Sequence, residues 1–115
     1  MNAKMQISNL LKDLGVPANV LGYKYVRRAI EIVYAAPSAI DCVTKVLYPT
    51  VAKEFDTTAS RVERAIRHAV ELSWDRGDID KLNEIFRHSY SAQKGKPTNS
   101  EFIATIADHL NVVLS

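Results

Sequence analysis

Apolar residues recur along this chain mostly every three or four positions, the period of helices that pack by one face. Ile7, Leu10, Leu11 and Leu14 form the first such set, and Gly15 behind them supplies a C-terminal stop. Residues 16–22 then read as a connector. Tyr23, Val26, Ala29 or Ile30, and Val33 form a second set, opposite Lys24, Arg27, Arg28 and Glu31. A second helix is therefore expected over about residues 23–34. Ala36-Pro37-Ser38 breaks the chain. The pattern turns helical again over 38–55, but Pro49 falls inside it. Proline suits a first turn and kinks an interior, so this stretch is two pieces, 38–48 and 49–55, or one bent helix. A short turn, 56–59, precedes the longest regular stretch, 60–76, which Gly77 closes. A short helix over 79–86, a polar loop over 87–97 and a last helix from about Thr98 to Val113 complete the chain. Ser60 with Glu63, and Thr98 with Glu101, have the spacing of a capping box. No useful apolar alternation is bounded by turns, so strands are not expected. The pattern predicts one compact all-α domain of about six helices.

Composition narrows the class without naming a function. A chain of 115 residues with 47% apolar content can bury one core and is too short for two. Its single cysteine, Cys42, excludes an internal disulfide, which suits a reducing, cytoplasmic setting. No segment resembles a signal peptide or approaches the roughly 20 apolar residues of a membrane span. The formal net charge is only +2. A case for nucleic acid therefore rests on where the charges sit.

They sit on the long helix. At 100° per residue, Val62, Ala65, Ile66, Ala69, Leu72 and Ser73 share one face. Ser60, Glu63, Arg64, Arg67, His68 and Glu71 occupy the other, with Arg61 at its edge. The preceding segment carries what a helix-turn-helix needs. Ala52 is small where the second helix must cross, and Val51, Phe55, Val62 and Ala65 can lock the pair. Asp56 stands where many such turns use glycine, and aspartate tolerates left-handed backbone better than most side chains. In this motif, at about residues 48–76, the N-terminal part of the second helix enters the major groove. Arginine's planar fork can grip guanine O6 and N7, and glutamate can accept from cytosine N4. A glutamate among arginines repels phosphate, so Glu63 reads a base or buttresses an arginine. The competing reading is a helical protein-interaction adaptor that binds no DNA.

The run Thr57-Thr58-Ala59-Ser60-Arg61-Val62-Glu63-Arg64-Ala65-Ile66-Arg67-His68-Ala69 resembles the recognition helix of the stage zero sporulation protein A family. Thr44–Pro49, Lys96–Ala104 and Gly15–Ala18 resemble the same effector domains. The resemblance implies a six-helix effector domain that normally follows a phosphorylatable receiver. No receiver is seen, so residues 1–6 are expected to be linker or appended residues and 7–115 the effector domain. It implies binding of double-stranded DNA at TGTCGAA-like boxes, often in tandem, which leaves room for self-association. It also implies activation and repression of promoters that start sporulation. By matching positions, Arg61, Glu63 and Arg64 would read bases, while Thr58, Ser60, Arg67 and His68 would touch backbone or support them. The region after the recognition helix, about 77–90 and including Gly77, Lys81 and Phe86, would contact the sigma factor of RNA polymerase.

The other polar residues point to less. Lys94 and Lys96 precede a capped helix start whose free N–H groups favour anions, so a phosphate contact is expected there. Lys24, Arg27 and Arg28 read as a solvated face. His68, His88 and His109 make no metal-ligand spacing with Cys42, so no metal is expected. No nucleophile–base arrangement or glycine-rich phosphate loop is found, and neither an enzyme nor a cofactor is expected. Trp74 is expected to pack at the helix end.

Overall fold

A computed structural model of the chain describes residues 2–86 and 95–114. Among these residues it holds six α-helices and no strand: α1 (Ala3–Asp13), α2 (Leu21–Ala35), α3 (Tyr48–Glu54), α4 (Ala59–Arg76), α5 (Ile79–Phe86) and α6 (Asn99–Leu114). The all-α expectation holds. The segment between α2 and α3 departs from it. Pro37–Cys42 winds as a 3-10 turn and Val43–Leu47 as a wide π turn. Pro49 then opens α3 rather than bending a longer helix. No residue of the 3-10 turn is fully buried, but Ala39 and Ile40 rest partly buried on the core, and Leu47 at the end of the π turn is fully buried.

Residues 3–6, expected as linker, are helical. Asn2 caps α1 through its side-chain oxygen, which accepts from the Met5 N–H at 2.9 Å. At the other end Gly15 adopts φ +83°. The Gly15 and Val16 N–H groups close back onto Lys12 and Leu11, at 3.1 and 2.9 Å. This is the left-handed stop that glycine makes easily.

The central pair is α2 and α4, with α6 packed on α2 and also touching α4. Val26, Ala29, Ile30, Val62, Ile66 and Ala69 are fully buried where these elements meet. Ile7, Leu11 and Leu14 close one end of that core. The C-terminal ends of α1 and α4 are locked together. The buried Ser73 hydroxyl donates to the Leu14 carbonyl at 2.6 Å, and Gly77 lies directly against Gly15. Trp74 is half-buried, edge-on to Phe86 and Phe102 at centroid distances of 5.1 and 6.5 Å. Its packing role is as expected.

Candidate nucleic-acid interface

The helix-turn-helix is α3, a four-residue turn and α4. Ala52 is 4% exposed where the helices cross. Asp56 takes φ +53°, the left-handed position expected of it. The Thr57 N–H returns to the Ala52 carbonyl at 2.9 Å and the Asp56 N–H to Lys53 at 3.4 Å, so aspartate makes the stop that glycine makes after α1. On its other flank α3 is tied to α2: the Arg28 guanidinium grips Glu54 at 2.7 and 3.3 Å.

The cap of α4 is not where the spacing puts it. Thr58, not Ser60, is the N-cap, accepting from the Arg61 N–H at 3.2 Å. Ser60 is the second helical residue, exposed, and Glu63 does not reach back to it. Glu63 accepts instead from Arg67 one turn on, at 3.3 Å. The threonine before an alanine serves as well as a serine, and two adjacent hydroxyl residues leave the choice to the turn geometry.

With the helix so placed, Arg61, Arg64, Arg67 and His68 are exposed, and Val62, Ile66, Ala69 and Val70 are buried. Arg64, Arg67 and Glu71 lie along the centre of the outward face. Arg61 and His68 border the start of α2 near Leu21 and Gly22. Glu63, Arg67 and Glu71 border the start of α6. Among the described residues no ion pair holds Arg61 or Arg64, so both forks are available to a ligand.

The start of α6 forms the second wall. Thr98 and Glu101 make the expected reciprocal cap, at 2.9 and 3.2 Å. Pro97 is buried, and Lys96 pairs with Glu71 at 3.0 Å. Lys94 lies outside the described residues. Asn99 is a connector the sequence does not reveal: its amide donates to the Tyr48 hydroxyl and the Glu63 carbonyl, both at 3.0 Å. One side chain thus binds α6 to both helices of the helix-turn-helix.

Burial pushes the Tyr48 phenol above its usual value, the Asn99 donor opposing this only in part. Because the folded chain favours the neutral phenol, this contribution is intact below pH ~10 and is lost as pH rises beyond it. Urea unfolding of the wild type and of Tyr48→Phe should therefore show the wild type losing ground above pH ~10. A constant difference between them across pH 8–11 (roughly) would contradict this.

The basic residues of α2 are engaged within the chain. Lys24 lies 5.4 Å from the Phe55 ring centre and Arg27 lies 5.5 Å from that of Tyr23. Phe86, expected on a partner surface, is 2% exposed and stacked on Phe102 at 5.4 Å, so it is a core residue. Gly77, expected with it, packs against Leu14 and Gly15. Of the three, Lys81 alone carries its charge at the surface, beside Glu84 at 3.1 Å. Among the described residues no cluster of histidine, cysteine or carboxylates is arranged to hold a metal ion. No described helix is long and apolar enough to cross a membrane.

A helix-turn-helix whose second helix offers free arginines is the geometry of a duplex reader. Residues 7–110 match the family model of sporulation initiation factor Spo0A C terminal. The chain belongs to that family. It is thus a DNA-binding effector domain of sporulation initiation. The Spo0A C-terminal assignment spans every element from α1 into α6 and includes the Asn99 connector.

Proposed function

We propose that this domain reads a TGTCGAA-like box in the major groove through α4 and thereby activates or represses sporulation promoters in the cytoplasm. The observation that carries the reading is the pair of free guanidinium groups, Arg61 and Arg64, at the N-terminal end of an exposed helix with a buried back. These two forks take guanines, the commonest specific contact. Glu63 is held by Arg67, so it acts as a buttress with any contact to cytosine made through its remaining acceptor oxygen. Thr58, Ser60, Arg67 and His68 surround the readers and face the phosphates, and Lys96, paired with Glu71, supports them. Control by a phosphorylatable receiver, and self-association on tandem boxes, fit the same assignment.

The polymerase contact is proposed on α5. Its exposed side carries Asp80, Asn83, Glu84 and Ile79, the last 70% exposed, with Lys81 beside them. Phe86 and Gly77 act behind that surface by holding it in place.

The test is fluorescence anisotropy with a duplex carrying the box and with a scrambled duplex, from about 50 to 200 mM salt. Both log affinities should fall linearly with log salt as counterions are released, and the box should bind about a thousandfold tighter. Equal affinities would overturn the reading. Absence of any binding at low salt would favour the adaptor instead.

A further inference from the structure

Glu63, Glu71 and Asp75 stand on the outward side of α4, and Glu71 has no evident use in reading bases. Glu71 lies beyond the N-terminal turns that enter a groove, one turn after Arg67. A carboxylate there repels phosphate and weakens every complex unless something offsets it. Lys96 does so, at 3.0 Å, with the two side chains 52% and 44% exposed. This pair is better built than most exposed ones. The Lys96 backbone is fixed beside α4 because Pro97 is buried and Asn99 is bonded to Glu63 and Tyr48. Little chain freedom remains to be lost on pairing, which is what usually makes such bridges weak. Lys96 holds the Glu71 carboxyl below its usual range, with smaller help from His68 and Arg67.

We propose that Glu71 is a specificity-determining residue: it sequesters Lys96 so that this lysine is withheld from phosphates on DNA lacking the box. Non-specific complexes are held almost wholly by phosphate contacts. On such DNA, Lys96 can add a contact only by leaving Glu71, which then faces the duplex uncompensated. On the box, Arg61 and Arg64 set the seating of α4 through the bases, and the Lys96–Glu71 pair stays closed. Glu71 therefore penalises the wrong DNA more than the right one, a repulsive element of the kind specificity often needs.

This inference rests on the proposed box-reading function, and the experiment separates the two. Glu71→Gln keeps the shape and removes the charge. Its affinity for scrambled duplex should rise three- to tenfold (roughly), with less than about twofold change on the box. Its log–log salt slope on scrambled DNA should steepen by about 0.9, one phosphate contact. The double variant Glu71→Gln/Lys96→Gln should return scrambled binding to the wild-type level. Lys96→Gln alone should weaken binding to both duplexes, because it leaves the Glu71 carboxylate uncompensated. Equal gains on both duplexes would overturn the inference as a uniform charge effect. A loss on both would show that Glu71 aims Lys96 at phosphate, and would overturn it too. So would a gain that survives in the double variant. A wild type with no preference for the box sinks the box-reading function, whereas a preference left unaltered by Glu71→Gln sinks this inference alone.

Discussion

Arg64→Ala should cost about 1–3 kcal/mol of binding on the box, a loss of roughly 5- to 150-fold, and much less on scrambled DNA. Arg64 is exposed, lies near the middle of the outward face of α4, and is in no ion pair among the described residues. Its fork is free to meet a base edge without first breaking an internal contact. Arg67 offers the contrast. It is bound to Glu63, so its replacement removes a phosphate contact and loosens the buttress together. The loss for Arg67→Ala should be similar on both duplexes. Neither change touches the core, and circular dichroism of both variants should match the wild type. Anisotropy titrations at one fixed salt concentration measure the ratio. An equal loss on both duplexes for Arg64→Ala would reduce it to a phosphate contact and remove the best base reader from the proposal.

What was legible from the sequence follows the range of the forces involved. The faces of α1, α2 and α4 are readable because burial repeats with the helix period, although in α4 Leu72 is only half-buried and Val70, outside the expected set, is buried. The Thr98–Glu101 cap was readable because it is local. The α4 cap was misplaced by two residues because Thr57, Thr58 and Ser60 all carry capping chemistry, and only the Asp56 turn decides among them. The 3-10 and π turns over 37–47 were not readable. Their residues are helix-compatible, and the packing of Ala39, Ile40, Val43 and Leu47 against the core depends on distant partners that the local pattern does not show.

The candidate site divides along the same line. The arginines of α4 announce themselves by charge and period. Asn99 does not, because its partners lie 51 and 36 residues away. The burial of Phe86 was equally hidden: a short amphipathic helix looks the same whether its aromatic end faces a partner or packs under Trp74. The sequence pattern puts Gly22 in the connector over 16–22, yet it is the second residue of α2 and is buried in the contact with α4.

Gly22→Ala should be the most damaging small change in the molecule. By propensity alone it should help, since alanine exceeds glycine in helices by about 1 kcal/mol. Space decides otherwise. A Cβ on Gly22 would fall on the Ala65 carbonyl oxygen and come within 3.0 Å of the Ala69 Cβ. The obstacle is backbone of α4, so no rotamer can relieve it. Carbon and oxygen need about 3.3 Å, so α2 must lift off α4 at their tightest crossing. Overpacking of this kind should cost about 2–4 kcal/mol and lower Tm by about 10 °C or more. Thermal and urea unfolding measure it, and unchanged or raised stability would show that the helices do not approach so closely. The effect reaches function through the same contact. Ala65 lies between Arg64 and Arg67, so a shift of the crossing moves the readers themselves. In the cold, where the variant is still folded, box affinity should fall further than scrambled affinity, because bidentate base contacts tolerate displacement less than phosphate contacts do.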